Sequence, residues 1–169
     1  MRGVLTLCAF TGLRKGDALT LTKTAYDAES GWVAANTAKT GRKVQWPVIA
    51  PLRVILDAAR GHDAITIAAT SKGRPWSVSG FDTAWQRLRT RLEAEGEIGP
   101  GLTLHGLRHS VAHVLAEQEF SLRTIANALG QSSEAMARHY SRDADLSGEM
   151  SKVGEVLNVF EAKKATKVS

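Results

Sequence analysis

At 169 residues and 18.2 kDa, with 43% apolar and 23% charged residues, the chain suits one globular domain and excludes a low-complexity or purely solvated polypeptide. Its 22 Lys and Arg against 17 Asp and Glu give a net charge of +5 and a pI of about 9.6, which favours a polyanionic partner through counterion release. A single cysteine, Cys8, excludes an internal disulfide and suits a reducing, cytoplasmic setting, and no window approaches the 18 or so apolar residues of a membrane span.

The opening apolar run (Val4, Leu5, Leu7, Cys8, Phe10) is too short for a secretory signal and lacks a small-residue cleavage site. It predicts a buried helix over residues 3–11 that stops at Gly12, with a second short helix from about Arg14 to Leu21. Three β-favouring pieces follow, Thr22 to Tyr26, Trp32 to Asn36 and Lys43 to Val48, and predict a small three-stranded antiparallel sheet with Lys39 in or beside its second turn. Leu52, Ile55, Leu56 and Ala59 share one face of a helix over residues 51–60, and the apolar run 64–69 suggests a further strand. Ser77 or Ser79 caps a helix running to about Gly96 whose Phe81, Trp85, Leu88 and Leu92 are spaced for burial, and residues 96–101 form a linker. From Thr103 onward the pattern is consecutive helices broken near Phe120, at Gly130 and around Ser141 to Asp143. The last, over residues 145–169, carries an amphipathic stripe (Leu146, Met150, Val153, Leu157, Phe160) and a basic, solvated tail. The fold class is therefore α+β and mainly α-helical.

His105 and Arg108, three apart on one helix, project from nearly the same face and are placed to grip one phosphate together. The row His105, His109, His113 and Glu117 has the four-residue step at which two neighbours share a zinc ion, but over about 18 Å the row drifts around the helix, so at most one pair serves and no metal site is expected. Residues Leu122 to Tyr140 also fit a helix-turn-helix, with Ile125 and Ala126 in the first helix, Gly130 at the turn and Met136 in the second, which would make the chain a non-enzymatic DNA-binding regulator. That reading leaves Arg14, Lys39 and the His105/Arg108 pair without a task.

Three segments taken together settle the ranking: Thr11-Gly12-Leu13-Arg14-Lys15-Gly16-Asp17, Leu104-His105-Gly106-Leu107-Arg108-His109-Ser110, and Leu129-Gly130-Gln131-Ser132-Ser133 leading to Tyr140. In this order, with Arg14 preceding Arg108 by 94 residues, they resemble the tyrosine recombinases of the phage-integrase type, and Lys39-Thr40-Gly41-Arg42 looks like that family's lysine-bearing turn. The resemblance implies the tyrosine-recombinase catalytic fold and a site-specific recombinase or integrase that cleaves and rejoins double-stranded DNA through a 3′-phosphotyrosyl intermediate. It makes Tyr140 the nucleophile, Arg14 and Arg108 the clamps on the negative phosphorane, His105 the base and Lys39, on a mobile turn, the acid, with Asp17, which orients Arg14, and His109 as supporting residues. No metal, nucleotide or other cofactor is implied. Gln131 stands where the family has histidine or tryptophan; a glutamine donates a neutral hydrogen bond but carries neither proton nor charge, so reduced activity is expected.

The family works as a tetramer on DNA, and the stripe over residues 145–169 is the expected exchanged helix. Only 13 residues precede Arg14, where family members carry more catalytic-domain sequence and a separate core-binding domain. Residues 1–169 are thus expected to form a single, N-terminally truncated catalytic domain that binds DNA weakly by itself.

Overall fold

A computed structural model of the chain describes residues 1–140, with the backbone alone at Met136, His139 and Tyr140. The expected break at Ser141 to Asp143, the stripe from Leu146 to Phe160 and the basic tail lie outside the described residues.

Helix α1 (Arg2–Thr11) buries Val4, Leu7, Cys8 and Thr11, the one-face spacing of an amphipathic helix. Burial, reinforced by the Asp17 charge, pushes the Cys8 thiol up to about 11, which leaves it an unreactive core residue. Gly12, at φ 65, ends α1 in a left-handed cap, its N–H donating to Cys8 O at 3.1 Å, and a Cβ there would come within 2.3 Å of Leu129 Cδ2. After this corner α2 (Lys15–Thr20) begins.

The antiparallel sheet has the order β1 (Tyr26–Asp27), β2 (Trp32–Asn36), β3 (Lys43–Pro47). Val33 pairs with Trp46 and Ala35 with Val44, and strand alternation turns Val33, Val44 and Trp46 into the core. The strand expected over Thr22 to Tyr26 is mostly something else: a 3-10 turn, Lys23–Ala25, followed by two strand residues. Its backbone is drawn elsewhere, since Lys23 N donates to Ile65 O and Ile67 N to Leu21 O. The strand expected over residues 64–69 shrinks to isolated bridges, Thr22 with Thr66 and Ala69 with Pro75. Pro75 has no N–H with which to extend a ladder, and Gly73, at φ 69, turns the chain back beside it.

Helix α3 (Ala50–Ala59) buries Leu52, Ile55, Leu56 and Ala59, the face read from the sequence. Helix α4 (Val78–Ala94) starts at Ser77, whose hydroxyl accepts from Gly80 N at 3.1 Å. Of its expected buried stripe only Phe81 is fully enclosed, edge-on to Trp76; Trp85, Leu88 and Leu92 are half-buried, Trp85 because it lines a cleft open to solvent. Helices α5 (Leu104–Glu117), α6 (Leu122–Ala128) and α7 (Glu134–Tyr140) pack together around Ala112, Ala116, Ile125, Ala126, Leu129 and Ala137. Four of those six are alanines, so the helices approach closely. Helix α1 packs on both α3 and α5 and joins this cluster to the larger core under the sheet. Among the described residues no helix is long and apolar enough to cross a membrane.

Candidate active site

The corner after α1 presents Arg14. Thr11 Oγ1 donates to Leu7 O and accepts from Leu13 N at 3.2 Å, which pins the turn, while Leu13 is buried. Arg14 then sits in extended conformation (φ −66, ψ 150) at the start of α2, and its Nη1 is shielded from solvent with no hydrogen-bond partner among the described residues. A buried guanidinium nitrogen in that state is poised for an anion.

Arg108 is buried at 2% exposure, and its guanidinium is engaged by backbone carbonyls. Its Nη1 donates to Gly12 O at 2.7 Å and its Nη2 to Leu129 O at 2.6 Å. It therefore clamps the corner before Arg14 to the segment before Gln131, as well as bringing charge to the site. His105 is on the solvent-exposed side of the same helix, and its ring meets that of His109 edge-on at 5.1 Å. Partial loss of solvent, then the positive charges of Arg108, Arg14 and Lys39, hold the His105 imidazole below its ordinary value of 6.5. It is thus mainly neutral at pH 7 and able to accept a proton.

Arg14, His105 and Arg108 line one cleft of about 440 Å³, together with Leu13, Lys15, Gly16, Asp82, Trp85 and Leu104. Sequence reasoning missed its far wall. Lys15 donates to both carboxylate oxygens of Asp82, at 2.7 and 2.9 Å, and Trp85 stands one turn along α4 from Asp82. Only the position of Lys15 beside Arg14 hinted at this.

Lys39 lies exposed on the β2–β3 turn, near enough to act on His105 electrostatically. The turn was expected to be mobile, but it is tied at its base from two sides. Ala38 N donates to Asp17 Oδ1 at 2.8 Å, and Thr40 Oγ1 donates to Gly130 O at 2.8 Å. Asp17, expected to orient Arg14, is buried at 7% exposure and bonds this turn instead. Gln131 is enclosed at 0% exposure, absent from the cleft lining, and neither its Oε1 nor its Nε2 has a hydrogen-bond partner among the described residues. Tyr140 is the last residue of α7; its side chain lies outside the described residues.

The zinc row is not assembled: His113 Nε2 pairs with Glu117 Oε1 at 3.1 Å, and among the described residues no three His, Cys, Asp or Glu side chains stand close enough to hold a metal. The helix-turn-helix reading fares no better. Helices α6 and α7 do flank a turn, but that turn is built into the site, its Leu129 carbonyl bonded by Arg108 and its Gly130 carbonyl by Thr40.

The sequence of residues 1–146 matches the phage integrase family. No curated protein matches the chain in sequence. Among solved structures the fold is similar to that of XerA recombinase, with a TM-score of 0.70 and 18% identity over 90% of this chain and 57% of that one. It is also similar to the Tn1549 transposon integrase in complex with circular intermediate DNA (TM-score 0.69, 16% identity, 89% of this chain and 56% of that one). A lambda integrase dimer bound to a core site compares at a TM-score of 0.64 and 22% identity, over 82% and 50% of the two chains. The chain thus spans little more than half the length of these proteins.

Proposed function

This chain belongs to the phage integrase family, and on that premise we propose that it is the catalytic domain of a tyrosine-type site-specific recombinase acting on double-stranded DNA. The observation that carries the reading is the convergence of Arg14, His105 and Arg108 on one cleft, with Lys39 close enough to lower the basicity of His105. These residues come from three separate stretches of the chain, and a solvated surface gives no reason for them to meet.

The chemistry follows from the groups. The Tyr140 hydroxyl attacks the scissile phosphorus and its proton passes to neutral His105. Extra negative charge gathers on the non-bridging oxygens and is met by Arg14, whose buried Nη1 has no partner among the described residues, and by the buried charge of Arg108. As the bond from phosphorus to the 5′ oxygen breaks, the Lys39 ammonium protonates that oxygen. The products are a 3′-phosphotyrosyl enzyme, a 5′-hydroxyl, a protonated His105 and a neutral Lys39. Attack by another 5′-hydroxyl reverses each transfer and releases the tyrosine, so the step as written consumes no nucleotide and uses no metal. Gln131 donates a neutral hydrogen bond to the phosphate once its side chain turns out of its enclosure. The chain works as one domain in a tetramer on DNA, through the stripe over residues 145–169, in a reducing cytoplasm.

The test is a nicked suicide duplex in which the short fragment bearing the new 5′-hydroxyl diffuses away. A DNA adduct stable to denaturation supports the reading, and specific binding without any adduct would favour the non-enzymatic regulator. A second expectation concerns pH. Because the His105 shift is downward, protonation, and with it loss of the base, sets in below pH 6.5 rather than at it. NMR titration of the ring should show this midpoint, and Arg14→Gln, which removes one of the cations opposing protonation, should move it upward. A midpoint at or above 6.5 in the wild-type chain would contradict the arrangement.

A further inference from the structure

The turn that carries Lys39 is held by a relay of two threonine hydroxyls. Thr40 Oγ1 has one proton and gives it to Gly130 O at 2.8 Å. With that proton given, the 2.6 Å contact between Thr37 Oγ1 and Thr40 Oγ1 draws on the Thr37 proton, which Arg42 O, 3.3 Å from Thr37 Oγ1, also shares. Thr37 is buried at 2% exposure, and its backbone N–H donates to Arg42 O at 2.9 Å across the turn. Gly130, at φ 60, allows this approach: a Cβ there would come within 2.7 Å of Thr37 Cγ2 and 2.8 Å of Val44 Cγ1. The carbonyl that receives the relay belongs to the residue immediately before Gln131, whose own N–H donates to Ala126 O at 2.8 Å.

We infer that Thr40 is a positioning residue: its hydroxyl couples the Lys39 turn to the Leu129-Gly130-Gln131 segment, so that the proton donor and the segment clamped by Arg108 hold one relative placement. The inference rests on the recombinase reading for its chemistry but not for its geometry. Asp17 anchors the residue before Lys39 and Thr40 is the residue after it, so the lysine is pinned on both flanks while its own side chain stays exposed. Thr40 touches no reacting atom and acts through Lys39.

Thr40→Val keeps shape and removes the donor; Thr40→Ser keeps the donor. With a suicide duplex, Thr40→Val should slow cleavage by about tenfold to a hundredfold, the range expected when a proton donor is misplaced by a fraction of its reach. On a duplex whose leaving 5′ oxygen is replaced by sulfur, the departing thiol has a pKa of about 8.5 and needs no proton donor, so the defect should largely vanish. Thr40→Ser should recover cleavage on the ordinary duplex. Equal loss on both duplexes, or none on either, would overturn the inference. A second measurement is independent of activity: in Thr40→Val the amides of Ala38, Gly41 and Gln131 should all exchange hydrogen faster. Loosening confined to the hairpin, with Gln131 unchanged, would overturn the coupling. If the wild-type chain forms no adduct, the recombinase reading fails, and the exchange measurement still decides the coupling.

Discussion

Tyr140→Phe should abolish the covalent DNA adduct, with loss on the order of ten-thousandfold or more, because without the hydroxyl no bond to phosphorus can form. Phenylalanine keeps the ring and has a helix propensity close to that of tyrosine, so α7 and non-covalent DNA binding should persist. The chain has only two tyrosines, which makes the result easy to read. The other, Tyr26, is on β1, and its hydroxyl accepts a long 3.5 Å contact from Arg53 rather than facing the cleft. Peptide mapping of the wild-type adduct should therefore find the nucleotide on the peptide containing Tyr140. An adduct that survives in Tyr140→Phe, or maps to Tyr26, would remove the nucleophile assignment.

The two arginines should separate stability from chemistry. Arg108→Lys replaces a rigid fork with a point charge that cannot reach both Gly12 O and Leu129 O, leaving at least one carbonyl without its charged donor. A hydrogen bond from a charged group contributes about 1.5–3 kcal/mol, so the loss in this buried site should be on the order of 3 kcal/mol and lower Tm by roughly 6–12 °C. Cleavage should fall as well, since the joint between the Arg14 corner and the Gln131 segment loosens. Arg14→Lys should behave differently. The Arg14 Nη1 has no partner to lose among the described residues, so Tm should move little while cleavage drops by about a hundredfold to a thousandfold, the usual range for removing one oxyanion donor. Calorimetry beside the suicide-substrate assay distinguishes the two, and equal effects on Tm would show that Arg108 is not the structural clamp of the site.

These contrasts show why some of the site was legible in the sequence and some was not. Arg14 follows a left-handed glycine at a helix end, and His105 stands two residues into a helix capped by Thr103; both are local arrangements that neighbours in the chain specify. The Lys39 turn was likewise marked by the break between two β-favouring runs. Asp17 was another matter. Its spacing from Arg14 suggested an interaction within one helix, but the amide of Ala38, 21 residues away, is the partner it bonds. Gln131 could be seen to lack charge, yet not to be sealed from solvent.

What the sequence by itself determined were the features of short reach: the α1 and α4 boundaries, a serine cap at the start of α4, the helical run from Thr103, the β2–β3 hairpin and the order of the motifs. Tertiary structure alone decided which backbone groups those elements would meet. The 22–26 segment gave up most of its strand because residues 65 and 67 claimed the hydrogen bonds of Lys23 and of the adjoining Leu21, and α4 stayed half-exposed because Trp85 faces a cleft. Arg108 became a clamp because its acceptors, 96 and 21 residues away, are brought together only when α1, α5 and α6 pack. The physical reason is range: capping and turn formation depend on contacts a few residues apart, whereas a buried guanidinium must be satisfied by whatever carbonyls the packed chain delivers to it.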